Sequence, residues 1–178
     1  MRGSHRVAIA AAFAAAVCLL AGAPVAHGQA GSGDALAIIV HRLNPIDALS
    51  SAELRRIFML ESQNWPPGRR ITVVLREKGQ PEREDAIRAI CGLSEADYER
   101  HVLLQTFRGA VTRGPRSIQS ASLMLRFVFN TPGAIGYVRA DEVDNSVKVL
   151  AINNLLPGDA QYPLRRGVRA GKVSWPLW

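Results

Sequence analysis

The chain has 178 residues, with 22 Lys and Arg against 15 Asp and Glu, and only two cysteines. Its first residues carry Arg2 and Arg6 ahead of the unbroken apolar run "VAIAAAFAAAVCLLAGA" and the small-residue stretch "VAHGQA", the pattern of a secretory signal peptide over residues 1–28 cleaved after Gly28 or Ala30. Removal of that leader leaves about 150 residues, a single domain with its own core, and a basic excess of about five charges, since Arg2 and Arg6 leave with it.

These numbers narrow the function. Cys18 lies in the leader, so Cys91 stands alone, no internal disulfide can form and packing must hold the fold. An Ala-rich apolar stretch followed at once by small residues is a weak membrane span, so the mature chain is expected to be periplasmic or secreted, with no stable span. A basic exported protein meets small anions, anionic headgroups or acidic proteins rather than nucleic acid.

The elements follow in chain order. "ALAIIV" from Ala35 to Val40 is a short β-branched apolar run suited to a strand covered on both faces. Asn44 and Pro45 then supply turn chemistry. Ser50 with Glu53 three residues on forms a capping box, flanked by a Leu49–Leu54 hydrophobic staple, and predicts a helix from about Ser51 to Met59 with Leu54, Ile57 and Phe58 inward. "SQNWPPGRR" reads as an irregular loop, from which Trp65 folds back onto the body.

"ITVVL" from Ile71 to Leu75 is a second buried strand. The charged loop "REKGQ" follows, then a helix from Pro81 to about Ile90, with Pro81 in its first turn. Ser94, Asp97, Leu93 and Tyr98 repeat the cap-and-staple signature, and Gly109 ends that helix. After the basic loop "AVTRGPRS", a fourth helix is expected from about Ser117 to Phe129. "AIGYV" from Ala134 to Val138 and "VKVLAI" from Val147 to Ile152 read as strands. Strands separated by helical segments predict an α/β fold with a central, mostly parallel sheet flanked by helices, occupying residues 35–168 ahead of a basic, Trp-containing tail over residues 169–178.

Four stretches, "LAIIVHRLNPIDALSSAELRRIF", "NWPPG", "FNTPGAIGYV" and "YPLRR", resemble in order and spacing the second half of the phosphate-binding subunits of bacterial phosphate ABC transporters. "TPGAIGYV" is the most specific of them. Gly133 and Gly136 there permit a turn and a close backbone approach whatever the function. The resemblance implies one lobe of a type II periplasmic-binding-protein fold, a short solo version of a family in which two lobes close over an anion.

In that family the loop after the second strand carries an Arg followed by a Ser-Gly-Thr element opening a helix. At the matching place stand Arg76, Glu77, Lys78, Gly79, Gln80, Pro81 and Glu82: the Arg is kept and the hydroxyls are not. Pro81 removes one N–H donor, and Glu82, Glu84 and Asp85 already answer the helix dipole, so binding of phosphate or a similar oxyanion is expected to be weak.

Arg108, Arg113 and Arg116 with Ser117 make a second basic loop, which either meets Arg76 across the strand ends as an anion-facing loop or is a solvated loop, just as Arg76 either serves an anion or pairs with Glu77, Glu82 or another surface acid. The site expected is therefore Arg76, Gly79, Arg83, Arg108 and Ser117, with no catalytic residue, metal or cofactor. Cys91 and His101 read as packed residues, and His41 as a hydrogen-bonded residue at a strand end. The expected role is a non-enzymatic substrate-binding protein of transport type. The competing expectation is an interaction or sensory module that kept the fold and lost the ligand, paired with an envelope protein or a second copy of itself.

Overall fold

The computed structural model describes residues 34–111 and 113–165. The expected leader with its cleavage positions, residues 166–168 of the expected domain and the whole expected tail over residues 169–178 lie outside the described residues.

Among the described residues, nine short strands and four α-helices are arranged around one five-stranded sheet. Strand β1 (Leu36–His41) leads through β2 (Ala48–Leu49) into helix α1 (Ser51–Phe58). Strands β3 (Asn64–Trp65), β4 (Arg69–Arg70) and β5 (Thr72–Arg76) precede α2 (Pro81–Ala86) and α3 (Glu95–Phe107). Strand β6 (Arg116–Ile118), helix α4 (Ala121–Asn130) and strands β7 (Ala134–Arg139), β8 (Val147–Val149) and β9 (Ala151–Ile152) complete the order.

The sheet runs β6-β5-β7-β1-β8. β5 pairs in parallel with both β6 and β7, while β1 is antiparallel to β7 and to β8. Four of the five strands therefore point the same way and β1 alone is reversed, so the fold is the mostly parallel α/β sheet expected.

Alternation along the strands divides the core in two. Leu36, Ile38, Val73, Leu75, Ile135 and Tyr137 face Leu54, Ile57, Phe58 and Tyr98 of α1 and α3. Ile39, Val74, Ala134 and Val138 face Met124, Leu125 and Val128 of α4. Helices thus cover both faces of the sheet, which is why its strands read as continuous apolar runs.

The helix starts are built as the sequence requires. Ser50 accepts from the Glu53 N–H while the Glu53 carboxylate accepts from the Ser50 N–H at 2.8 Å, and Leu49 and Leu54 are both buried. Ser94 caps α3 by accepting from the Asp97 N–H at 3.1 Å. Gly109 follows α3 at φ +68°. Trp65 is buried, its indole N–H donating to the Gly133 carbonyl at 3.0 Å. Gly133 has φ +113°, and a Cβ there would stand 2.5 Å from the Arg70 carbonyl. At Gly136 a Cβ would lie 2.8 Å from Met124 Sδ, so this glycine lets α4 settle onto β7.

Four elements differ from expectation. "SQNWPPGRR" is not irregular throughout, because β3 and β4 pair antiparallel across the Pro66–Gly68 turn. The helix expected from Pro81 to Ile90 is α2 plus a π-turn, Ile87–Cys91. The wider turn buries Ile87, Ile90 and Cys91 together, and the Cys91 carbonyl accepts from Arg55 Nε at 3.2 Å.

The fourth helix starts at Ala121, not Ser117. Its cap is Ser120, accepting from the Leu123 N–H at 3.2 Å, and Arg116–Ile118 instead extends the sheet beside β5. With Leu123 where a capping box wants an acid, the true start was hidden. The last expected strand splits at Leu150: there the N–H donates to the Ile38 carbonyl, and the chain then leaves the main sheet to pair with β2.

Candidate functional site

In sheets of this kind, ligands are met beyond the C-terminal ends of the parallel strands. For β5 that end is Arg76. Its backbone is clamped twice: the N–H donates to the Tyr137 hydroxyl at 3.1 Å, and the carbonyl accepts from Arg83 Nη1 at 2.8 Å. Parallel register places Arg76 opposite Ile118, and the period-2 alternation sets its side chain on the α4 side of the sheet with Val74.

The Arg76 guanidinium is the anomaly of this region. Its Nε and Nη1 are buried and have no hydrogen-bond partner among the described residues. Buried donors are almost always satisfied, and leaving a charged one unmet costs more than a neutral one. Such a group is poised for an acceptor.

Arg83 is built differently. It is only 5% exposed, it bonds the Glu95 carboxylate through Nε, and its Nη2 stands 3.6 Å from Glu99 Oε1. Each guanidinium nitrogen thus has a protein neighbour, so Arg83 holds the loop to α3 and fixes the Arg76 carbonyl. Lys78 reaches Glu99 at 2.7 Å and Glu84 pairs with Arg88, so these charges are answered locally. Gly79 turns the loop at φ +77° with open space around it.

Ser117 pairs in register with Leu75, is exposed, and lines a shallow cavity with Glu77, Gln119 and Arg126. The structure therefore brings Arg76, Gly79, Arg83 and Ser117 to one end of the sheet. Arg108 is elsewhere. It is the C-cap of α3, nine residues beyond Glu99 or about 13 Å along the helix. The expected meeting of Arg108 with Arg76 does not occur, because α3 runs from the Arg76 end of the sheet to the opposite end.

Two residues at this end were not singled out from the sequence as site residues. Tyr137 is fully buried, and burial pushes its phenol well above the ordinary range while the Arg76 N–H donated to it pulls the other way. It stays a neutral hydroxyl. Arg139 ends β7 and pairs with Asp141 at 3.4 Å, and that hydrogen bond raises its pKa. The signal for Tyr137 was present in "AIGYV": a tyrosine amid a buried strand needs a polar partner for its hydroxyl.

The remaining reactive side chains are packed. Cys91 is buried and desolvation pushes its thiol up to about 12, far from a thiolate at neutral pH. His101 Nε2 lies 2.9 Å from the Met59 carbonyl, and His41 Nδ1 accepts from the Leu43 N–H at 3.1 Å. Among the described residues no three His, Cys, Asp or Glu side chains gather as metal ligands, and no helix is long and apolar enough to cross a membrane.

No family model matches the sequence. Solved structures do match. An ABC-type phosphate transport receptor from Vibrio cholerae is 25% identical with a TM-score of 0.60, over 74% of this chain and 53% of the receptor. A phosphate ABC transporter substrate-binding protein with bound phosphate, from Clostridium perfringens, is 25% identical with a TM-score of 0.56, over 68% and 46%. PstS from Borrelia burgdorferi, at 17% identity and a TM-score of 0.54, shares the fold. The chain thus spans about half the length of the substrate-binding proteins it matches, and in fold it is similar to one lobe of them.

Proposed function

We propose that this protein is an exported, non-catalytic binding protein for a small oxyanion, phosphate or a close analogue, held weakly at the C-terminal end of β5. The observation that carries this reading is the pair of buried, unpartnered nitrogens on Arg76. Likeness to phosphate-binding proteins supports the choice of ligand. Arg76 supplies the charge-assisted bonds, Arg83 positions its backbone, and Gly79 and Ser117 border the open side. Export is supported by the leader-like pattern over residues 1–28, and on this reading the protein works in the periplasm or outside the cell.

Weakness follows from what surrounds the arginine. Pro81 offers no N–H, and Glu77 and Glu82 stand on the same loop and its helix start. Each carboxylate opposes an oxyanion at short range by about 1 kcal/mol in a largely aqueous setting, which is comparable to one good contact. Isothermal titration with phosphate should give saturable heat in the millimolar range that disappears in Arg76→Ala. A flat titration of the unaltered protein would end this reading.

One observation favours the second reading, an interaction module. Helix α3 exposes Leu103, Leu104 and Phe107 in a stripe, with Phe107 81% exposed, and its only buried residue is Tyr98. An envelope protein or a second copy of the chain would cover it. Sedimentation equilibrium, together with a cross-linking pull-down from an envelope extract, distinguishes self-association from a foreign partner; a monomer that captures nothing contradicts the module reading.

A further inference from the structure

Around the start of β5, and reaching Arg116, which stands level with Val74 and two register positions short of Arg76, lies a cleft of about 800 Å³. Its size falls in the range of small-molecule sites. The floor is apolar: Leu60, Ile71, Val73 and Val111 are all buried and contribute to it. Gln63 Nε2 donates to the Ala110 carbonyl at 2.5 Å, tying the loop after α1 to the loop after α3 and closing one wall.

The rim is cationic. Arg70, Arg113 and Arg116 line the cleft, no Asp or Glu does, and none of the three is ion-paired among the described residues. The Arg116 guanidinium stands 5.9 Å from the centre of the Phe127 ring, a second lining residue that offers an aromatic face. Several other described arginines also lack a carboxylate, so what marks this cleft is the combination: three such arginines gather around one buried apolar floor with no acid among the lining residues.

We propose that this cleft binds an amphipathic organic anion: an aromatic or aliphatic body on the apolar floor, carrying an acidic group that meets the arginine rim. A bare oxyanion would occupy a small part of 800 Å³ and leave the floor wet. A neutral apolar ligand would desolvate the arginines without replacing their water. A cation is repelled. Only a molecule with both parts satisfies floor and rim, and it does so without Arg76, which lies at the far end of β5.

The test uses 8-anilinonaphthalene-1-sulfonate, which has both parts, on the full chain followed by fluorescence. One saturable equivalent is expected. Affinity should fall about tenfold or more in the exposed double variant Arg113→Ala/Arg116→Ala, the size of losing one charge-assisted contact. Val111→Trp, which fills the floor, should abolish binding. Arg76→Ala and millimolar phosphate should leave it unchanged. Non-saturable binding, full affinity in the double arginine variant, or loss caused instead by Arg76→Ala or by Leu103→Lys/Phe107→Lys would overturn the proposal. Because Arg113 and Arg116 are both exposed, their removal spares the core and the result can be read even if Val111→Trp fails to fold.

Discussion

The two ends of the central sheet use arginine in opposite ways. At the C-terminal end of β5, Arg83 is buried and bonded to Glu95 and to the Arg76 carbonyl, and it stands near Glu99, so that Arg76 is held with part of its guanidinium unmet. At the N-terminal end, Arg70, Arg113 and Arg116 are exposed, lack carboxylate partners and surround apolar side chains. On the readings proposed above, the first end would take a compact anion and the second something larger. The difference teaches that a basic protein's charge says little until each guanidinium's partners are known.

The change expected to disturb this contrast most is Arg83→Ala. Removing a buried partner strands Glu95 and frees the Arg76 carbonyl, and should destabilise the fold by about 3 kcal/mol. Thermal unfolding should show it, and phosphate heat should vanish while dye binding at the other end persists. Gly133→Ala works in the reverse direction. A Cβ there meets the Arg70 carbonyl at a φ that side chains rarely adopt, at a cost of about 1–3 kcal/mol. It should weaken dye binding through displaced β4 and leave phosphate binding intact.

Helix α1 carries its chain into the cleft wall at Leu60 and Ser62. Ser50→Ala, which removes its cap, should cost about 1 kcal/mol by denaturant titration. The Ser50 hydrogen bonds hold the Glu53 carboxyl below its usual range, so the unfolded chain takes up this proton first as pH falls. Its contribution is therefore present above the ordinary glutamate range and lost as pH drops below it. The smallest effect is expected from Leu103→Lys/Phe107→Lys: both are exposed, and monomer stability should stay within about 0.5 kcal/mol.

Much of this fold was legible in the sequence because its signals are local. Ser50 with Glu53 and Ser94 with Asp97 announced two helix starts, and the runs around Ile38, Val74 and Ile135 announced strands covered on both faces. The π-turn at Ile87–Cys91 was not legible, since it exists to bury Cys91 beneath α1, a tertiary demand. β6 was missed for a related reason: Arg116–Ile118 is extended only because β5 has an edge to fill.

The site was legible in part. Arg76 stands where its spacing from "ITVVL" put it, at the strand end. Arg108 does not join it, because a basic cluster in sequence carries no statement of which end of α3 it occupies. Tyr137 went unnoticed as a clamp on Arg76 because strand and loop are 61 residues apart. The arginine cleft could not be foreseen either, being assembled from β4, β5, β6 and the ends of α1 and α4.

The central claim, that the Arg76 guanidinium meets an anion, is tested most directly by nuclear magnetic resonance of the arginine Nε–H groups during phosphate titration. The Arg76 signal is identified as the one missing in Arg76→Lys. A saturable downfield shift of that signal, with the Arg70, Arg113 and Arg116 signals unmoved, is the result predicted. An Arg76 signal that stays in place at millimolar phosphate would contradict the account.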